Sequence, residues 1–180
     1  MSAASTLFTQ RVVIGVGEVA VSNNPAVTLS TYALGSCVGI VAYDPAALVG
    51  GILHLMLPDS KISPAKASAQ PAMFADTGLR QFFQELLAFG ARPPRLRLFV
   101  AGGATVIAGN DPFRIGIRNA EATRGLLLLH GFTSAFSDTG GTTNRTLHLA
   151  LASGELTLKT PHTDSRISLT AELLGDRISA

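Results

Sequence analysis

Apolar residues fill two neighbouring segments almost without interruption, 38–43 and 49–56, and these frame the rest of the chain. Neither segment alternates as a half-exposed strand does, so both predict strands covered on two faces. Asp44-Pro45-Ala46-Ala47 between them predicts a turn. Upstream, residues 11–21 are β-branched and partly alternating, which predicts one or two short strands. A turn at Asn23-Asn24-Pro25 and a strand at 27–30 follow. Residues 59–71 are rich in Ser, Ala, Lys and Pro without periodicity, and read as a surface loop.

Helical spacing enters at 72–89, where Met73, Leu79, Phe82, Phe83, Leu86 and Leu87 make one apolar face and Gly90 suits the position past the C-terminus. A buried strand at 96–101 ends at Gly102-Gly103, and a loop is expected at 108–112. A second helix is expected at 117–130, closed by Gly131, and a strand at 132–136. Asp138-Thr-Gly-Gly141 predicts a turn, and 145–151 with 156–159 a hairpin. The last twenty residues are more polar and are expected to pack weakly. Strands far outnumber helices, which predicts an α+β layered fold rather than strict βαβ alternation.

Composition narrows this picture. At 180 residues, 47% hydrophobic and 14% charged, the chain is expected to be one globular domain, its core at about 11–160 and a polar extension at 161–180. A net charge of +2 without any Lys/Arg cluster argues against nucleic-acid binding. The single cysteine forms no internal disulfide and suits a reducing compartment. The first ten residues lack the basic start of a signal peptide, and the apolar runs fall short of the ~20 residues that span a bilayer. The expectation is a soluble cytoplasmic protein without membrane insertion.

Candidate chemistry centres on Cys37. Gly35 and Ser36 before it suit a helix start or a tight turn, where outward backbone N–H groups favour a thiolate. Seventeen residues on, across the expected strand–turn–strand, stands His54, and six residues before Cys37 stands Thr31 with a hydroxyl that can orient an imidazole. Each has a plainer explanation, since a free cysteine is commonly a small buried hydrophobe and a strand histidine a hydrogen-bonded core residue. His130, His148 and His162 fit such structural roles. No metal-ligand spacing occurs, Gly15-Val16-Gly17 lacks the rest of a dinucleotide fingerprint, and no P-loop is present, so no metal or cofactor is expected.

The combination of Gly15-Val-Gly-Glu-Val-Ala-Val21, Leu34-Gly-Ser-Cys37, Gly50-Gly-Ile-Leu-His54 and Met56-Leu-Pro58 closely resembles CheD, the chemoreceptor glutamine deamidase family of bacterial and archaeal chemotaxis. Phe74-Ala-Asp76, Ala101-Gly-Gly-Ala104, Ile115-Gly-Ile-Arg-Asn119 and Asp138-Thr-Gly-Gly141 continue the likeness. The resemblance implies a catalytic Cys37, His54 and Thr31; Gly35 and Ser36 are expected to support the oxyanion turn, with Cys37 at a helix start and the His54 ring within hydrogen-bond reach of its sulfur. It implies a layered α/β/β/α sandwich of mixed sheets, similar to the deamidating domain of cytotoxic necrotizing toxins. It further implies conversion of receptor glutamines to glutamates through a Cys thioester, glutamyl esterase activity beside it, chemoreceptor cytoplasmic domains as partners and, in some species, the CheC phosphatase. A non-catalytic CheD-like adaptor and an unrelated cysteine hydrolase are the alternatives. Thr142-Thr-Asn-Arg145 departs from the arginine-rich run expected there, and the tail from Pro161 extends past the likeness.

Overall fold

The computed structural model describes residues 9–105, 111–132 and 136–170. Among them, ten strands form two five-stranded mixed sheets. The first sheet runs in the order β1 (Gln10–Val13), β3 (Val27–Leu34), β8 (Arg145–Ala150), β9 (Glu155–Lys159), β10 (Asp164–Ser168). The second runs β2 (Glu18–Ser22), β5 (Val49–Leu55), β4 (Val38–Asp44), β6 (Arg97–Gly102), β7 (Phe136–Thr139). β1 with β3 and β6 with β7 are parallel; the other neighbours are antiparallel.

The sheets pack face to face, and helices α2 (Ala75–Ala88) and α3 (Ile115–Leu129) cover the free face of the second sheet. This explains the unbroken apolar runs: every residue of β4 and β5 is buried. Val41, Tyr43 and Ile52 pack on Leu29, Leu147, Leu149 and Leu156 of the first sheet. Ile40, Ala42, Leu53 and Leu55 turn the other way, onto Leu79, Phe82 and Leu86 of α2 and Leu127 of α3. Burying each large apolar side chain contributes about 1.5–3 kcal/mol. Gly50 and Gly51 bring both layers close to β5, since a Cβ on Gly50 would meet Leu149 and Leu151, and one on Gly51 would meet Phe82. The α+β class with two mixed sheets agrees with expectation. Among the described residues the layers run helix, sheet, sheet, and no helix covers the outer face of the first sheet.

Both long helices end alike. Gly90 and Gly131 take φ of 93° and 85°, while the N–H groups of Ala91 and Phe132 reach back to Leu86 and Leu127. This is the hydrogen-bonding pattern of a Schellman cap.

Three expectations change. Residues 59–71 are not a plain loop: the six-residue helix α1 (Pro64–Ala69) opens with Pro64, whose fixed φ suits a first helical turn, and is too short for apolar periodicity to reveal. The tail does not simply trail away, because β10 pairs with β9, and Leu169 is buried with its N–H donating to Gly154 O. Finally, β7 continues through Thr139, so the turn falls at Gly140-Gly141. Residues 133–135 of the strand expected at 132–136, residues 108–110 of the expected loop, and the segments 1–8 and 171–180 lie outside the described residues.

Candidate functional site

β3 continues past Ser30, its expected end, as far as Leu34, and carries Thr31 on the face that meets the second sheet. His54, next to last in β5, points toward the first sheet, since it shares a face with Ile52. The two side chains meet between the sheets, Thr31 Oγ1 lying 2.8 Å from His54 Nδ1. The threonine hydroxyl donates its one hydrogen to Ile14 O at 2.8 Å, so toward the ring it accepts. Nδ1 therefore carries the ring proton and Nε2 keeps its lone pair. Nε2 is buried and has no partner among the described residues, a free base beside a fixed donor.

Cys37 closes the bend between β3 and β4. No helix begins there, which corrects the expectation of a thiol at a helix start: the apolar run from Val38 continues directly as strand. In the β4–β5 ladder Gly39 stands opposite His54. Cys37, two residues before Gly39 and just outside the ladder, packs against the same inter-sheet cluster as Ile52. No hydrogen bond joins the sulfur to the ring, which corrects the expectation of a ring within hydrogen-bond reach of the thiol: Thr31 fixes His54 by its Nδ1 side while Nε2 is left unpartnered among the described residues. Catalytic contacts commonly tighten only when substrate is bound.

The electrostatics describe a neutral resting pair. Burial pushes the half-exposed Cys37 thiol above its ordinary value, while its own backbone N–H, directed at the sulfur, pulls it partly back. Burial lowers His54 to about 4, against the opposing pull of the Ile14 carbonyl and the Glu18 carboxylate. Glu18 stands directly opposite His54 on β2. The proton therefore stays on sulfur and the ring stays neutral at rest.

The bend itself is held from behind. Gly35 O accepts from Ala104 N–H at 2.8 Å and Cys37 O from Gly103 N–H at 2.8 Å. Ser36 O accepts from Asn119 Nδ2 of α3 at 2.9 Å, and the same amide donates to Met56 O at 2.8 Å. Gly102, at φ 107°, is required by this contact, because a Cβ there would run into Cys37 O. Ala33, just before the bend, takes φ 57°, which few non-glycine residues adopt, and interrupts the β3–β8 register. The sequence reading missed Ile14 and gave Asn119 no role, although Asn119 belongs to one of the quoted motifs. A lone Asn 83 residues from Ser36 carries no spacing signal.

A separate cleft of about 410 Å³, lined by Val100, Arg124, Leu127 and Phe132 among others, opens on the helix-covered side of β6, the opposite face from Cys37 and His54. Among the described residues no His, Cys, Asp and Glu group is placed to hold a metal ion, and no helix is long and apolar enough to cross a membrane.

Fold and site together define a class: an α+β protein of two packed sheets with a thiol, an imidazole and an orienting hydroxyl gathered between them, a set suited to acyl transfer. The chain belongs to the CheD family. The family model described as CheD chemotactic sensory transduction matches residues 56–160, a stretch that begins just after His54. A protein of Solibacter usitatus is 43% identical over 150 residues, 83% of this chain and 89% of its own length. One of Syntrophus aciditrophicus is 39% identical over 82% of this chain and 92% of its own. One of Pyrococcus abyssi is 36% identical over 84% and 93%. All three bear the name probable chemoreceptor glutamine deamidase CheD. A solved structure, the Bacillus licheniformis hypothetical protein YfiH, shares 16% identity over 69% of this chain and 49% of its own at a TM-score of 0.37, too slight a likeness to bear on fold or function.

Proposed function

We propose that this protein is a chemoreceptor glutamine deamidase in which Cys37 is the nucleophile, His54 carries the proton and Thr31 fixes the ring. The carrying observation is the Thr31–His54 hydrogen bond, which leaves Nε2 unprotonated on the face that Cys37 shares. The names of its relatives supply the substrate class.

In the first half-reaction the Cys37 sulfur bonds the side-chain carboxamide carbon of a receptor glutamine while its proton passes to His54 Nε2. The carboxamide oxygen takes up negative charge, which N–H groups of the Gly35-Ser36-Cys37 bend stabilise; such a donor is worth about 3–4 kcal/mol in acyl-transfer sites. The C–N bond then breaks, and the imidazolium proton leaves with the nitrogen as ammonia. In the second half-reaction His54 takes a proton from water, the hydroxide adds to the thioester carbon, and the C–S bond breaks as sulfur regains its proton. Glutamine and water become glutamate and ammonia. The same thioester forms from a glutamyl methyl ester, so esterase activity accompanies deamidation. Receptor glutamines on the cytoplasmic side put the protein in the cytoplasm, and CheC is its partner where that phosphatase is present.

Incubation with receptor cytoplasmic domains, followed by mass spectrometry for Gln-to-Glu conversion, tests this directly. Conversion by the parent and none by Cys37→Ala is the expected result. Conversion that survives Cys37→Ala would overturn the mechanism, and receptor binding with unchanged glutamines would make the protein an adaptor.

A further inference from the structure

We propose that Asn119 is a positioning residue of this site: by gripping Ser36 O it turns the N–H of the same peptide, that of Cys37, toward the oxygen of the acyl group under attack. The proposal rests on the acyl-transfer role of Cys37 given above.

Three consecutive carbonyls of the bend are held by donors on one side. Ala104 N–H takes Gly35 O, Asn119 Nδ2 takes Ser36 O, and Gly103 N–H takes Cys37 O. In a trans peptide the C=O and N–H point in opposite directions, so holding the carbonyls aims the N–H groups of Ser36 and Cys37 the other way. Neither N–H donates to a backbone acceptor among the described residues, and that of Cys37 faces its own sulfur, the side on which an acyl group would bond. Two of the three grips are main-chain bonds from Gly103 and Ala104, just past β6. The grip on Ser36 is the one a side chain makes.

Asn119 is built for donation. It is fully buried in α3, and its amide hydrogens go to Ser36 O and Met56 O, the latter two residues beyond His54. Its Oδ1 is buried without a partner among the described residues. Flipping the amide would set that oxygen against two carbonyl oxygens, so the donor arrangement is fixed. An orphaned buried acceptor is destabilising. A residue serving packing alone would do better as leucine; what asparagine adds is two donors, one to each segment that carries a reacting side chain.

The proposal separates two reactions of the same thiol. With p-nitrophenyl acetate the sulfur bonds the acetyl carbon, a tetrahedral oxyanion forms, and p-nitrophenolate departs. With iodoacetamide the sulfur displaces iodide at a saturated carbon, and no oxyanion develops. Each rate is taken from its plateau with pH, so that the thiolate fraction does not enter. Asn119→Ala should slow acylation of Cys37 by about 10- to 100-fold, with alkylation changed less than about twofold. If Asn119→Ala does not fold, Asn119→Leu keeps the volume while removing both donors, and the same split is expected. Acylation and alkylation falling together, neither falling, or a parent thiol that alkylates but is not acylated would each overturn the proposal. Because no receptor takes part, a failed receptor assay beside an intact split would count against receptor deamidation and leave the role of Asn119 standing.

Discussion

Strand β4 begins beside Cys37 and ends at Asp44, and the polar groups at its two ends are treated in opposite ways. At the far end the carboxylate is partnered throughout. Asp44 is buried, and its carboxylate accepts from the N–H groups of Ala46, Ala47 and Arg92 and from the Arg95 guanidinium. Burial would push that carboxyl up, but Arg95 and the three amides hold it at about 2. At the near end His54 Nε2 and Asn119 Oδ1 are buried and unpartnered, Ala33 sits at positive φ, and the bend amides point away from the main-chain network. One strand thus joins a satisfied anchor to an unsatisfied site. What separates the two ends is that the ionisable group of one is fully partnered while the imidazole of the other keeps a buried lone pair without a partner among the described residues.

Substitutions at each end sharpen the contrast. The largest expected effect is Cys37→Ala, which should lower receptor deamidation about 10⁴-fold or more while unfolding curves stay near the parent's. His54→Gln should cost about 10³-fold in kcat, and it should also change acid stability. Folded His54 titrates at about 4 against an ordinary 6.5, so the unfolded chain binds the extra proton and stability falls as pH drops through that window, by about 3 kcal/mol across it. Urea unfolding between pH 6.5 and 4 should therefore show a shallower decline for His54→Gln than for the parent.

Asp44→Ala should act in reverse, lowering the folding equilibrium about 10²-fold, or about 3 kcal/mol, by stranding buried donors, while folded protein keeps its kcat. The Asp44 carboxylate contributes stability above its ordinary 3.8, and that contribution is lost as pH falls toward 2, a window below that of His54. The smallest effect is expected of Thr31→Val, about 10- to 30-fold in kcat, because the hydroxyl orients the ring without touching substrate. A Thr31→Val loss as large as that of His54→Gln would dissolve the distinction between orienting and reacting groups.

Much of this was legible in the sequence where packing is two-sided. The apolar runs at 38–43 and 49–56 became β4 and β5 within a residue, because strands covered on both faces leave no alternation to misread. Gly90 and Gly131 marked both helix ends. What the sequence did not reveal depends on contacts between distant segments. The strand β10 exists because β9 offers it an edge, not because Asp164-Ser-Arg-Ile-Ser168 has strand character. The Cys37–His54–Thr31 set could be written down from spacing and the family resemblance, but the Ile14 carbonyl that decides the hydroxyl's direction, and the Asn119 amide behind the bend, come from β1's end and a distant helix.

The bond between Thr31 and His54 has a dynamic consequence. It runs from a strand of one sheet to a strand of the other, so the imidazole N–H is shielded as long as the layers stay closed. That single proton exchanges with solvent only when the sandwich opens at this seam, and its exchange rate measures the opening free energy there. Breathing of the two sheets is then observable on one nitrogen.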